Sequence, residues 1–268
     1  MRLVVGCSGF SYSAWRGHFY PPDLPSAKWL SYYSKVFDFV EIDSTYYRMP
    51  NALTVRKWAK NTPDNFRFSA KMPGKITHKK RLGDVDSDMQ FFYDAMAPLK
   101  EKTAAILIQL PASIVFKEGF RKMKNLPFDD RFRHAIEVRH VSWFDDDFYD
   151  FLIANNICLV WSQRDEIAAP PKVTADFTYL RFIGDRSIRD EDFGRIQKDR
   201  LKEMQYWAGE LKKHEALKTG IIAANNHYAG FGPGTANTFR KMLGVPEARF
   251  YEIDQKEQAS LLDYSQNP

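Results

Sequence analysis

Three short stretches of the chain alternate apolar and charged residues with period two: DFVEID (38–43), FRFSAK (66–71) and HAIEVRH (134–140). Val40, Ile42, Phe66, Phe68, Ile136 and Val138 make one face. Glu41, Asp43, Arg67, Lys71, Glu137 and Arg139 make the other. Such alternation usually marks a sheet with one wet face. Here helix-like segments separate the strands, so the charged face is expected to point into the interior of a sheet-and-helix structure. Interior charge is costly unless it is paired or used. The pattern therefore marks a site without naming its chemistry.

The same reading predicts eight strands, at 3–7, 39–43, 66–71, 104–110, 134–139, 157–161, 177–182 and 219–224. Helices are predicted at 27–37 (capped by Ser26), 52–61 (capped by Asn51), 86–101, 117–125, 146–155, 191–214 and 235–243. Strands alternating with helices, with no Pro/Gly/Ser linker, argue for α/β architecture as one TIM-like (β/α) barrel, a single domain over residues 1–268. The length agrees with the ~250 residues typical of that fold. Residues 162–176 are too short and proline-broken for a helix, so the barrel is expected to be irregular between strands six and seven. ARFYEI (248–253) reads as an extra strand of unassigned position.

Charge adds little. The net charge of +5 permits an anionic or nucleic-acid partner without requiring one. The densest basic run, His78-Lys79-Lys80-Arg81, fits a solvated loop. Cys7 and Cys158 form no metal or disulfide spacing, and each lies in an apolar run. The first residues lead straight into LVVGCSG with no apolar leader, and no apolar run approaches the ~20 residues of a membrane span. A cytoplasmic protein without membrane association is expected. No heptad or long apolar stripe appears, which predicts a monomer.

In a barrel the carboxyl ends of the strands build the site. Here they read CSGFSY, EIDSTYY, AKMP, QLPAS, VRHVSWF, WSQRD, RFIG and NNHYAGFG. In the segments GCSGFSYSAWRGHFYP (6–21), FVEIDSTYYRMP (39–50), FRFSAKMPGKITH (66–78), ILIQLPAS (106–113), AIEVRHVSW (135–143), YLRFIG (179–184) and NNHYAGFGPGTANTF (225–239), the chain resembles the YecE-like family, a group of TIM-barrel-like proteins of unknown function. The resemblance covers nearly the whole chain and implies the fold and the location of the site. It carries no reaction. Asp43 stands where the family more often has Asn.

Glu41 and Glu137 are the candidate catalytic carboxylates: buried near strand ends, they are placed for raised pKa values and proton transfer. They serve equally well as partners of Lys71, Arg139 and Arg181 in a structural ion network. Those three cations come from different strands and suit recognition of phosphate or carboxylate. Asn225, Asn226 and His227, before the glycine-rich GFGPG, offer a second anion-binding element at a helix start, or a plain tight turn. Tyr12, Trp15, Asp43, Tyr46 and Trp143 complete the substrate-binding candidates, and Phe10, Tyr47 and Tyr228 are further aromatics at the strand ends. These rings are placed to stack on a base or sugar, or to pack a lid. No cofactor is evident. A divalent metal held by Glu41, Glu137, His140 and His227 is an alternative without supporting local spacing. Cys7 reads as a packing residue.

Three functions stay open. One is a hydrolase- or lyase-type enzyme acting on a phosphate-bearing substrate such as a nucleotide or nucleic acid. The second is a non-catalytic protein binding a small anion or nucleic acid at the same mouth. The third is a sugar-phosphate isomerase. The first shares its architecture with barrel endonucleases that act at abasic sites, which is analogy of fold alone.

Overall fold

All eight predicted strands form, and they close on themselves. In the computed structural model, which describes residues 1–251 and Gln255, the strands are β1 (Arg2–Ser8), β2 (Phe39–Ile42), β3 (Arg67–Lys71), β4 (Thr103–Gln109), β5 (His134–Glu137), β6 (Cys158–Gln163), β7 (Phe177–Phe182) and β8 (Thr219–Ala224). Each pairs in parallel with the next, and β8 returns to β1. The helices are α1 (Trp29–Val36), α2 (Ser44–Tyr47), α3 (Ala52–Lys60), α4 (Asp86–Met96), α5 (Phe116–Met123), α6 (Asp146–Ala154), α7 (Leu201–Lys212), α8 (Asn226–Ala229) and α9 (Gly232–Met242). Among the described residues no helix is long and apolar enough to cross a membrane.

The alternation sorts the core into two layers. Val40, Ile42, Phe66, Phe68, Ile136 and Val138 join the layer between sheet and helices. Val4, Phe39, Leu107, Ala135, Val160, Tyr179 and Ile221 form a separate cluster. These alternate with the outward set, so they fill the barrel itself. Cys7 lies buried in the outer layer, where burial pushes its thiol far above the ordinary range, as suits a packing residue.

Several boundaries differ from expectation. Asn51 caps α3 as predicted, accepting from Thr54 N at 2.8 Å. Ser26 opens a 3₁₀ turn (Ser26–Lys28) and gives no side-chain cap. The predicted helix 191–214 begins only at Leu201, after a single 3₁₀ turn at Asp190–Asp192. The intervening stretch packs against residues 14–18. A Cβ on Gly194 would meet His18 Cδ2 at 2.7 Å and the Ala14 carbonyl at 2.9 Å. Between β6 and β7 there is no helix, as the prolines indicated. β6 instead ends in an antiparallel bridge from Gln163 to Ala168, and Thr174 donates to Ile157 O at 2.7 Å. Residues 248–251 form no strand, because Asn237 takes up both backbone groups of Ala248 (2.7 and 2.8 Å) in place of a partner strand. The rest of that proposed strand, 252–253, lies outside the described residues.

On β5 the outward-facing His134 is buried with Tyr93, whose hydroxyl lies 2.9 Å from its Nε2. Burial lowers this imidazole to about 4, against an opposing pull from Asp129. The folded chain therefore stays neutral here while the unfolded chain protonates near 6.5. The stabilisation is complete above pH 6.5 and is lost as pH falls towards 4. Its full size is about 3 kcal/mol, from about 2.5 pH units at 1.36 kcal/mol each. Urea unfolding at pH 7, 5 and 4 should show His134→Gln losing less stability over this interval than the unsubstituted protein. Parallel losses would refute the assignment.

Candidate functional site

The inward positions at the carboxyl ends of the strands bring acids and bases onto one level. Register places Glu41 beside Ser8 and Ser69, Glu137 beside Gln109, and Arg181 beside Ser162. Arg181 then crosses the barrel axis. Its Nε donates to Glu41 Oε2 at 2.7 Å, its Nη2 to Glu41 Oε1, and its Nη1 to Glu137 Oε2. Tyr179 donates its hydroxyl to Glu41 Oε2 at 2.6 Å and also meets the Ser69 hydroxyl. Arg139 Nε donates to Glu137 Oε1 at 2.9 Å. Every oxygen of both glutamates thus has a charged partner, and both side chains are sealed from solvent.

This overturns the expectation of raised carboxyl pKa values. Burial does push both glutamates upward, but the charge and hydrogen bonds of Arg181, with the Tyr179 hydroxyl, outweigh it for Glu41, and Arg181, Arg139 and Lys71 do so for Glu137. Both are held below the usual carboxylate range. A carboxylate fixed in ionised form by a fork–fork guanidinium is a weak base.

The next inward level behaves differently. Thr45 at the start of α2 donates to both Ile42 O (3.0 Å) and Lys71 O (2.7 Å), tying the end of β2 to the end of β3. That clamp sets Asp43 and Lys71 side by side at the mouth. Asp43 Oδ1 is buried without a hydrogen-bond partner, and its nearest cation, Arg181 Nη2, is 4.0 Å away. Burial and then the charge of Glu41 raise the Asp43 pKa, against the pull of Lys71 and Arg181. Lys71 is 8% exposed, and no carboxylate among the described residues lies within 4 Å of its ammonium. The ammonium instead rests 4.4 Å from the centre of the Tyr46 ring, a cation–π contact. Gly74 admits that ring, since a Cβ there would come within 2.8 Å of it. Burial lowers the Lys71 pKa, with Asp43 opposing and Arg181 adding to the shift.

Other predicted site residues part company. Trp15 and Trp143 are fully buried and cannot reach a ligand. The Trp15 indole donates to Asn226 Oδ1 at 3.1 Å, and the Trp143 indole to Ile114 O at 2.8 Å. Tyr228 is likewise buried, bonded to Glu203. Tyr12 is partly exposed, its hydroxyl donating to Ser8 O at 2.8 Å, and Tyr47 stands 78% exposed on the rim. Asn225 caps α8 by accepting from His227 N at 3.0 Å. Asn226 accepts from Gly232 N at 2.8 Å, so the first amide of the helix behind GFGPG is taken up by the chain itself. His227 faces Asp190 at 3.9 Å. The proposed metal set does not assemble: His140 bonds Ser142, both glutamates are taken by arginine, and no group of three His, Cys, Asp or Glu among the described residues is arranged to hold a metal.

Three contributors escaped the sequence reading. Tyr179 is the position two before Arg181 in the strand FTYLRF, so alternation alone places it on the inner face. Arg164, half-buried beyond β6 and 2.9 Å from Glu166, sits in a loop, and His78, facing the Tyr46 ring at 5.0 Å, in a single π-helical turn (Lys75–Lys79), where period two does not apply.

A family described as "Protein of unknown function DUF72" matches residues 4–260. The chain is 32% identical to the UPF0759 protein YecE of Escherichia coli strain K12 over 118 residues, 43% of each chain. It is 30% identical to the UPF0759 protein YunF of Bacillus subtilis strain 168 over 163 residues, 55% of this chain and 54% of that one. The matched stretches thus span about half the length of these curated relatives. Among solved structures, the DUF72 family protein TM1631 of Thermotoga maritima superposes with a TM-score of 0.76 at 28% identity, covering 91% of this chain and all of that one. A DUF72 family protein of Enterococcus faecalis shares the fold, with a TM-score of 0.74 at 23% identity over 93% and 98% of the two chains.

Replacing Arg181 by Met should strand two buried carboxylates and cost about 3–5 kcal/mol at neutral pH. The loss should shrink as pH falls and the glutamates protonate. Adding Glu41→Gln and Glu137→Gln should recover most of it. Urea unfolding measures all three effects, and a loss below about 1 kcal/mol for the single substitution would show that the barrel does not depend on this network.

Proposed function

Because the chain belongs to the DUF72 family, whose description supplies no reaction, we propose a function from the mouth itself: it binds a phosphate-bearing anionic substrate such as a nucleotide, gripped by Lys71 and Arg139. The observation that carries this reading is the unpaired ammonium of Lys71. Removing that charge from water without a carboxylate is costly, and a substrate anion is the partner that would offset the cost. Arg139 spends only its Nε on Glu137, which leaves the rest of its fork free for a bidentate contact. His78 records the local excess of positive charge: burial, then Lys71 and Arg139, lower its pKa to about 4. Tyr46 and the exposed Tyr47 offer ring faces to a base or sugar beside the phosphate.

The chemistry that fits is hydrolase- or lyase-type. With Glu41 and Glu137 locked in ionised form, proton transfer falls to the next level. Lys71, lowered by burial, is the better placed donor to a leaving oxygen, and Asp43, whose pKa burial raises, keeps a buried oxygen without a hydrogen-bond partner beside it. The same lock on both glutamates also favours a second reading, a binding protein without turnover, since neither glutamate is free to act as a base.

Calorimetric titration with inorganic phosphate and with a nucleoside monophosphate tests the proposal. Lys71→Ala should weaken both by about tenfold or more, the loss of about one charged hydrogen bond. Affinity should fall away below the ordinary lysine range as pH rises and Lys71 loses its proton. Equal heats for the substituted and unsubstituted proteins would sink the anion site. Release of phosphate from a bound ester, lost in Lys71→Ala, would support the enzyme; binding without turnover would support the second reading.

A further inference from the structure

The opposite end of the barrel carries its own charge, and nothing in the mouth explains it. Inward register continues down each strand past the apolar layer: Val4 leads to Arg2, Ser69 to Arg67, Ala105 to Thr103, Ala135 to Arg133, and Ile221 to Thr219. These side chains converge at the amino-terminal opening. Arg2, Arg67, Thr103, Arg131, Arg133 and Thr219 line a cavity of about 260 Å³ there.

The four arginines are not equally satisfied. Arg131 is held by Asp129 and Asp94 at 2.6 and 2.8 Å. Arg133 meets Asp176 at 3.4 Å, an acid it shares with Lys218, and lies 5.3 Å over the Phe177 ring. Arg2 and Arg67 have no carboxylate partner among the described residues. Arg2 donates one bond to Asn65 O at 3.2 Å. Arg67 donates to the carbonyls of Asp64 and Phe66 at 2.8 and 3.0 Å. Asp38, the acid that feels Arg2, is 3.8 Å from Arg240 and accepts from Val5 N. Burial, and after it the charge of Arg2, lowers the Arg67 pKa, so the two guanidiniums repel one another across the opening.

We propose that this amino-terminal cavity is a second anion site, taking a tetrahedral oxyanion, phosphate or a small phosphate monoester, between Arg2 and Arg67, with the hydroxyl of Thr219 at its wall. Two guanidinium forks with unspent N–H groups, facing one space with no acid between them, match the edges of such an ion. Thr219 pairs in register with both Arg2 and Phe177, which fixes it at the floor of the barrel between β1 and β7. The site is independent of the mouth: the apolar plug of Val4, Phe39, Leu107, Val160 and Ile221 stands between them.

The Lys71→Ala protein, with the mouth weakened at least tenfold, exposes this site at phosphate concentrations that leave the mouth mostly empty. Titrated calorimetrically, it should still bind inorganic phosphate with one-to-one stoichiometry. Adding Arg2→Gln and Arg67→Gln should weaken that binding at least tenfold. Glycerol phosphate binding more tightly than inorganic phosphate would assign the site to an ester, and equal affinities would assign it to the free ion. No heat from the Lys71→Ala protein, or heat unchanged by the two arginine substitutions, would overturn the proposal. A readout on the unsubstituted protein guards against a folding defect: phosphate should slow modification of Arg2 and Arg67 by phenylglyoxal, followed by mass spectrometry of peptides, while Arg121 on the outer surface reacts at its usual rate. Equal rates with and without phosphate at Arg2 and Arg67 would also refute it.

Discussion

One guanidinium sets the terms for everything above it. Arg181 reaches from β7 to acids on β2 and β5, joining strands that are not neighbours in the sheet. A buried ion pair gains stability only when its geometry and hydrogen bonds are nearly complete. Here Tyr179, Ser69 and Arg139 complete the shell around the two glutamates. The same completeness removes those glutamates from acid–base work. Structure and chemistry compete for one pair of side chains, and the structural demand takes both.

Its consequence is carried one level outward. Burial, and then the Glu41 anion beneath it, push the Asp43 pKa upward, since a second buried negative charge so near is disfavoured. The positive charge of the mouth rests on Lys71 and Arg139.

What the sequence revealed follows the physics of each segment. Period-two alternation is enforced by the pleat, so the inward set Glu41, Lys71, Glu137 and Arg139 could be read directly, and Arg181 followed from its strand. Pairing could not be read, because which of three cations meets which acid depends on register and strand tilt rather than on composition. Trp15 and Trp143 sat in the right segments but on the wrong side of them: after a strand ends, period two no longer predicts direction, and an indole that finds a carbonyl or amide acceptor is as well satisfied in the core as at the mouth. The helix expected from residue 191 failed for a related reason. Its polar spacing was compatible with a helix, yet close packing of Gly194 against Ala14 and His18 claims that stretch for the wall of the mouth.

The barrel axis thus reads as an ordered stack. At the floor stand Arg2, Arg67 and Arg133; above them an apolar plug; then Tyr179 and Ser69; then Glu41, Glu137 and Arg181; and finally Asp43, Lys71 and Arg139 at the mouth. Successive inward residues on a strand are two apart, about 6.6 Å, so Arg67 and Lys71 on β3 are roughly 13 Å apart along the strand. At that spacing, with no shared partner, substitutions at the two ends should act additively to within about 0.5 kcal/mol. Tyr179 touches both the plug, through its ring against Phe39, and the ion network, through its hydroxyl. Tyr179 is therefore a direct route for coupling between the two ends, and Tyr179→Phe would sever the polar half of that link while leaving the packing in place.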